Sequence, residues 1–469
     1  MTTFQGEHRK WWTLAAVTFG LFMIMLDNTV VNVALPSLRA DLGLRLSELQ
    51  WVVAGYALTF AALMLIGGKL ADAYGRRLLF VIGMAGFTLA SLWCGLSGSG
   101  GELIAARVAQ GVGAALMNPA TLSIIAATFP PRQRGTAIGI WAGTAALALA
   151  IGPLVGGLLT QHLSWHWIFF VNVPVGVVGI VASFLLIDES RDETHESLDI
   201  PGLLLSAVGL FALTYALIEA NGYGWGSPRI VGSFAVAVVA LLAFVLVERG
   251  RRAPMLDLTL FRNRTYVGAN IAVLLVSLAM FGVFFFVSLY LQNVLRYSPV
   301  KAGAAFLPMT LLIVFTAPVV GRIVDRLGSR WLVAGGMSLL AVHLLLFTRL
   351  DERSTYLSVL PALVIGGVGI ACVMTPASAT AMKAVSVDKA GVGSAVLNAF
   401  RQVGGSTGIA VMGAIVAAEA GGRTSVQAFL DGFHAALYAA AAIAIVGAAL
   451  AGWLIRLGGT ASTGSEGHA

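Results

Sequence analysis

Asp27 is the only charged residue between Trp11 and Leu38, a stretch long enough to cross a lipid bilayer. A carboxylate inside such a segment costs about 2.5–3.5 kcal/mol on insertion scales, so it is seldom present without a function. The usual functions are proton transfer and cation handling. Asp27 is therefore the first candidate for a coupling acid.

Arg107 lies a few residues inside a later apolar stretch. Its side chain can extend outward to the bilayer surface, or turn inward to a carboxylate or a water-filled cavity. An inward Arg107 near Asp27 would stabilise the ionised acid, whereas apolar surroundings would stabilise the protonated acid. This opposition suits a proton switch, and the residues alone leave both orientations open.

Arg401 lies inside another apolar stretch, roughly 15 Å along a helix from its start and thus near the bilayer midplane. It lies on one helical face with Asn398, Gln402 and Gly405, because Arg401 and Gln402 are three and four residues from Asn398, and four and three residues from Gly405. The stripe either lines a central cavity or anchors the helix against a neighbour. Glu419, near the end of the same helix, is either a second coupling acid or an exposed helix-end carboxylate.

Other candidates for the substrate cavity are polar or aromatic residues in apolar surroundings. Such residues combine apolar contact with a few orienting dipoles, which suits drug-sized amphiphiles, although each one alone can also serve packing. The candidates are Asn32, Trp51, Tyr56, Gln110, Asn118, Gln292, Asn293 and Met374, together with Asn398, Arg401 and Gln402.

The composition predicts an integral membrane protein. Hydrophobic residues make up 58% of the chain and charged residues 11%, whereas soluble domains carry about 25% charged residues. The unbroken apolar runs favour helices over a β-barrel. The predicted spans are residues 12–35, 49–68, 78–97, 103–127, 135–160, 166–187, 200–219, 230–247, 267–292, 302–321, 331–349, 355–380, 391–418 and 432–456.

Two similar loops divide the spans into groups of six, two and six. Residues 68–77 follow the second span and residues 321–330 follow the tenth, with Gly, Asp, Gly and Arg in register. Two chance loops are the alternative to a duplicated transporter architecture. The predicted units are an N-terminal six-helix bundle (1–187), a two-helix insertion with its flanking loops (188–265), a C-terminal six-helix bundle (266–457) and a short tail (458–469).

The loop residues predict a latch between helix ends. Asp72 can pair with Arg76 or Arg77, and Gly68 and Gly75 permit close contact and a tight turn. A static staple is the alternative. The corresponding residues of the second loop are Asp325 and Arg330.

The fifth span carries small residues at a helix-packing spacing. Gly152 and Gly156 are four residues apart, Gly157 follows, and Pro153 removes a backbone hydrogen bond. This pattern predicts close contact with another helix and a bend.

Together these motifs resemble the major facilitator superfamily, and more specifically its fourteen-helix drug/proton antiporter branch of EmrB/QacA-like exporters. The resemblance rests on residues 26–36, 68–77, 107–111, 152–157 and 165–174, in this order along nearly the whole chain. Ala73, Ala148 and His166 depart from residues common in that family. The resemblance implies two pseudo-symmetric bundles, export rather than uptake, and an inward role for Arg107.

Charge and composition limit the remaining possibilities. Most loop Lys and Arg residues fall on the side of the N-terminus, which predicts an inner-membrane protein with both termini in the cytoplasm. The net charge of +7 is then positive-inside bias rather than a nucleic-acid surface. His343 and His434 are isolated, so no metal site is expected, and no phosphate-binding Gly-Lys-Ser/Thr loop suggests ATP hydrolysis. We expect no cofactor and no enzymatic activity.

These observations predict proton-coupled efflux of amphipathic or cationic small molecules by alternating access, with Asp27 shared between proton and substrate. The expected partners are a lipophilic or cationic substrate, protons and the bilayer, and the chain is expected to act as a monomer. The two-helix insertion is predicted to be peripheral packing. The alternative is a facilitator or importer of one metabolite that exchanges no protons.

Overall fold

The computed structural model describes residues 8–191, 199–251, 254, 256–385, 390–423 and 425–455, without the side chains of residues 131, 135, 325, 326 and 390–392. The described chain is helical and has no strand. The N-terminal helices are α1 (Arg9–Leu42), α2 (Leu46–Tyr74), α3 (Arg76–Leu96), α4 (Gly100–Thr128), α5 (Pro131–His162), α6 (Trp167–Phe170) and α7 (Asn172–Leu186).

The rest of the chain forms a helical pair and a second bundle. The pair is α8 (Ile200–Tyr223) and α9 (Pro228–Gly250). The second bundle contains α10 (Arg264–Leu289), α11 (Pro299–Ala305), α12 (Leu307–Leu327), α13 (Ser329–Phe347), α14 (Tyr356–Lys383), α15 (Ala390–Ala420) and α16 (Val426–Leu454). Because α6 joins α7 and α11 joins α12, these elements make 14 candidate membrane spans in the described residues, which confirms the predicted six, two and six.

Several helices extend beyond the predicted spans, because counting apolar residues stops at the first charge whereas a helix ends where its backbone turns. Gly43 ends α1 with φ 64° and donates its N–H to the carbonyl of Arg39. Gly75 separates α2 from α3 with φ 126°. Both are backbone conformations that glycine adopts without strain.

The two bundles contact each other mainly near one end. We call it the distal side, the side on which α1 ends and α2 begins; the opposite side is proximal. The interbundle hydrogen bonds of the described residues are Gln50 Nε2 to Ile409 O (2.7 Å), Ser288 Oγ to Asn32 O (2.8 Å), Gln292 Nε2 to Val33 O (2.9 Å), Thr310 Oγ1 to Ala150 O (3.1 Å) and Val300 N to Gln161 Oε1 (3.1 Å). All lie in the distal half of their helices, so the bundles are closed against each other there.

Two glycines of α5 permit close helix packing, one within the N-terminal bundle and one across the interface. A Cβ on Gly156 would lie 2.5 Å from the carbonyl oxygen of Val30 in α1. A Cβ on Gly157 would lie 2.9 Å from the Cα of Val300 in the other bundle. The segment around Pro153 therefore packs within its own bundle and across the interface.

Helix α8 packs against both bundles and contributes hydrogen bonds to each. Trp51 in α2 donates its indole N–H to Glu219 (3.2 Å), and Asn221 donates to the carbonyl of Ala414 in α15 (2.7 Å). Ile218 packs with one alanine from each of these helices. The sequence did not reveal this bridge, because apolar surfaces and backbone carbonyls make much of it.

We expect Gly156→Val to lower the stability of the purified protein by about 1–3 kcal/mol, because the added side chain overpacks the contact between α1 and α5. Gly139→Val is the matched control, since a Cβ at Gly139 in the same helix has no neighbour within 4 Å. Thermal unfolding in detergent measures both. Equal losses in the two variants would contradict close packing at Gly156.

Candidate functional site

The carboxylate of Asp27 lies at the middle of α1 and is fully buried. Its Oδ2 contacts the Nη1 of Arg107, and its Oδ1 accepts hydrogen bonds from Gln110 Nε2 (2.9 Å) and Asn172 Nδ2 (3.3 Å). Helices α1, α4 and α7 thus converge on one acid. Arg107 and Gln110 reach it together because residues three apart share a helical face.

A second set of hydrogen bonds fixes these donors. Gln110 Nε2 also donates to Ser91 Oγ (2.8 Å), and its Oε1 accepts from Arg107 Nη1. Asn172 Nδ2 lies 3.4 Å from the same serine oxygen. Ser91 in turn donates to the carbonyl of Phe87 (2.8 Å). The amides therefore have little freedom to leave Asp27.

Arg107 is turned inward and is completely buried. Its Nε donates to the carbonyl of Val52 in α2 (3.0 Å), and its guanidinium carbon lies 4.3 Å from the ring centroid of Tyr56. The Arg107 Nη2 and the Tyr56 hydroxyl have no hydrogen-bond partner among the described residues. The ion pair between Asp27 and Arg107 is formed, and these two polar atoms are available for new hydrogen bonds if the side chains around Asp27 rearrange.

Arg401 belongs to α15 of the other bundle. Its side chain is half-buried and lies within electrostatic range of Tyr56. The described residues offer it no carboxylate as an ion-pair partner. Since Asp27 and Arg107 neutralise each other, Arg401 leaves this central region with one uncompensated positive charge.

Several predicted cavity residues make hydrogen bonds to neighbouring helices. Gln110 belongs to the Asp27 cluster, Trp51 binds Glu219 of the insertion, and Gln292 binds the backbone of α1 across the interface. The sequence shows that these residues lie in apolar spans, but it does not show which hydrogen bonds they make. The remaining candidates are Asn32, Asn118 and Gln402, which are buried, and Asn293, Met374 and Asn398, which are half-buried.

Glu419 lies exposed at the distal end of α15. Its backbone carbonyl accepts a hydrogen bond from Arg423 (3.0 Å). The sequence left two roles open for Glu419, and its exposed position matches that of a helix-end carboxylate.

The predicted latch joins α2, α3 and the end of α7. Asp72 pairs with Arg76 (2.8 Å), whereas Arg77 lies 3.8 Å from Glu189, a residue that sequence reasoning missed. Glu189 also accepts the backbone N–H groups of Arg77 and Leu78 at the start of α3 (3.0 and 3.1 Å). A carboxylate at a helix N-terminus is electrostatically favourable, so this contact has a simple cause.

The neighbouring latch residues have different environments. A Cβ on Gly68 would be in ordinary contact with Pro119 (3.5 Å). In the second loop, the side chain of Asp325 lies outside the described residues, and Arg330 stacks over Trp331 at 5.2 Å.

Comparisons with known proteins agree with this architecture. The family model of the Major Facilitator Superfamily matches residues 17–409. The puromycin resistance protein pur8 of Streptomyces alboniger is 40% identical, covering 91% of this chain and 86% of the relative. The tetracenomycin C resistance and export protein of Streptomyces glaucescens is 37% identical, with 88% and 77% covered.

A solved structure shares the fold at low sequence identity. It is a bacterial homologue of the human lysosomal transporter Spinster, in an inward-facing and unoccupied conformation. The identity is 18%, the TM-score 0.68, and the match covers 96% of this chain and 98% of the other.

We expect Asp27→Asn and Arg107→Gln each to cost about 3–5 kcal/mol of stability, because either change leaves one buried group without its partner. The double variant should lose less than the sum, giving a coupling energy above about 2 kcal/mol. Denaturant unfolding in detergent measures this cycle.

The control is the same cycle on Arg45 and Glu48, an ion pair whose side chains are 73% and 29% exposed. It should give a coupling energy below about 1 kcal/mol. Equal coupling in the two cycles would contradict the special role of burial at Asp27.

Proposed function

The chain belongs to the Major Facilitator Superfamily of membrane transporters, and on this premise we propose that it exports amphipathic or cationic small molecules in exchange for protons. One observation carries the proposal: the acid at the middle of α1 is held by an arginine and two amides from two other helices. A proton arriving at Asp27 changes every one of these bonds. The site therefore links proton binding to helix packing.

The proposed direction of transport is supported by the relatives. One is named for resistance to puromycin, and the other for resistance to and export of tetracenomycin C. The chain spans most of the length of both. Resistance by export requires a pathway that takes up drug from the cell interior or the inner leaflet.

Protonation of Asp27 would remove the charge that balances Arg107. Arg107 and Arg401, on opposite sides of the interface near Tyr56, would then be two uncompensated cations. At an effective dielectric constant of about 20, two like unit charges repel by roughly 1–4 kcal/mol at separations from about 16 Å down to about 4 Å. A repulsion of this size is enough to shift a two-state equilibrium between facings.

The same change in charge couples the binding of the proton to the binding of the substrate. A cationic substrate is tolerated best while Asp27 is ionised and is repelled once the acid is protonated. Proton and substrate therefore disfavour each other's binding, which is the coupling that antiport requires. For a neutral amphiphile, the coupling acts through the rearrangement of Arg107 rather than through direct repulsion.

The contacts between the bundles support a facing for this state. Hydrogen bonds join the described bundles in their distal halves, so access is from the proximal side. We assign the proximal side to the cytoplasm, because most loop Lys and Arg residues lie there. Both termini are then cytoplasmic, the chain lies in the inner membrane and acts as a monomer, and substrate enters from the cell interior.

A facilitator or importer without proton exchange is the second candidate. The observation that favours it is the complete burial of Asp27 and its pairing with Arg107, which suits a permanent structural ion pair. The two functions differ in whether substrate movement drives proton movement.

We expect acidified inverted vesicles that contain the protein to release protons when puromycin, tetracenomycin C or a lipophilic cation is added. A pH-sensitive dye inside the vesicles measures the release. Asp27→Asn should abolish it, because the amide cannot exchange a proton. Glu419→Gln is the matched control and should keep at least about half of the initial rate, since Glu419 is exposed at a helix end.

Proton release that survives Asp27→Asn would refute the coupling role of Asp27. Uptake of a labelled substrate without proton movement, at equal rates in wild type and in Asp27→Asn, would establish the facilitator instead.

A further inference from the structure

Two carboxyl groups lie side by side at the proximal end of the insertion, far along the chain from Asp27. Asp199 caps the N-terminus of α8, and Glu248 lies in the last turn of α9. Their exposed fractions are 1% and 3%. Acidic residues are seldom so deeply buried unless their charges are balanced or neutralised.

Each carboxyl group has one oxygen with a donor. Asp199 Oδ1 accepts the backbone N–H of Gly202 (2.9 Å) and lies 3.4 Å from the Nε of Arg251. Glu248 Oε2 accepts the backbone N–H of Leu256 (3.1 Å). The other two oxygens, Asp199 Oδ2 and Glu248 Oε1, are buried and have no donor among the described residues.

These two oxygens point at the same spot. A Cβ built on Gly202 would lie 2.6 Å from Asp199 Oδ2 and 2.6 Å from Glu248 Oε1. Because each oxygen is 2.6 Å from this one point, the two oxygens are at most 5.2 Å apart. Two ionised carboxylates in this arrangement repel, and each buried acceptor without a donor costs about 1–3 kcal/mol. One proton between them satisfies both oxygens at once.

We propose that Asp199 and Glu248 share one proton and form a proton-binding site in the insertion. Within the described part of the chain, the charged groups that face the pair are Arg251, after α9, and Lys69, from α2. Two nearby cations make a metal ion an unfavourable occupant. They also do not supply donors to the two oxygens that face each other.

The position of the pair gives the proton a structural consequence. Glu248 binds the backbone at Leu256, and Lys69 Nζ donates to the carbonyl of Pro254 two residues earlier (3.1 Å). The segment after α9 is thus hydrogen-bonded both to the carboxyl pair and to Lys69 near the end of α2. Loss of the proton drives the two carboxylates apart and weakens the hydrogen bonds that hold this segment.

Infrared spectroscopy of the purified full-length protein tests the shared proton directly. Difference spectra between the wild type and each variant isolate the signal of the pair, because Asp27 is the same in all of these proteins. At pH 6–7 we expect a carbonyl stretch of a protonated carboxyl group, which Asp199→Asn or Glu248→Gln removes. Absence of the band before these substitutions, or its persistence in both variants, would overturn the proposal.

The same proton affects stability. Unfolded carboxyl groups are ionised at neutral pH, so the folded state binds one more proton and becomes less stable as pH rises through the titration of the pair. The melting temperature of the wild type should fall by about 2 °C or more between pH 6 and 9, relative to Asp199→Asn and Glu248→Gln. In these variants an amide N–H replaces the proton.

Asp188→Asn is the matched control, because Asp188 is a 75% exposed acid beside Arg9 on the same side of the protein. Its melting temperature should follow that of the wild type across the pH range. A pH dependence that is identical in the wild type, Asp199→Asn and Glu248→Gln would contradict a shared proton. The measurement needs no transported substrate, so its outcome is independent of the proposed exchange.

Discussion

The ion pair between Asp27 and Arg107 is the constraint from which the N-terminal bundle follows. Two charges inside a bilayer are retained only when each is surrounded by hydrogen-bonding partners. Here those partners come from α2, α4 and α7, so these helices must approach α1 closely. Small residues make this possible: a Cβ on Gly111, one residue after Gln110, would lie 2.7 Å from the carbonyl oxygen of Tyr56. Close packing and the buried charge thus depend on each other.

The contacts between the bundles have a different character. Four of the five interbundle hydrogen bonds of the described residues join a side chain to a backbone carbonyl in the distal halves of the helices, and such bonds can be exchanged for water when the bundles separate. Helix α8 adds a bridge through Glu219 and Asn221. If the two bundles separate on the distal side, α8 must therefore lose its contacts with one bundle or move together with both contacts retained. The proximal end of the insertion carries the buried carboxyl pair.

Much of this architecture is readable from the sequence because the bilayer imposes it. Fourteen apolar runs and the repeated loop predicted the six, two and six helices, and the energetic cost of a charge identified Asp27 and Arg107. Asn172, Ser91 and Glu189 were missed, because two are neutral polar residues that carry no such cost and the third follows a span. The hydrogen-bond partners of Trp51 and Gln292 could not be predicted, because the polarity of a residue within a span does not reveal which neighbour it contacts. The role of α8 depends on tertiary contacts that no local pattern encodes.

The central claim is that proton and substrate compete through Asp27. Proton release on adding a transported amphiphile to the purified protein in weakly buffered detergent solution tests it most directly. The account predicts release by the wild type that increases with ligand occupancy and disappears in Asp27→Asn at ligand concentrations that saturate the variant. Equal proton release by both proteins, or ligand binding by the wild type without any release, would contradict it.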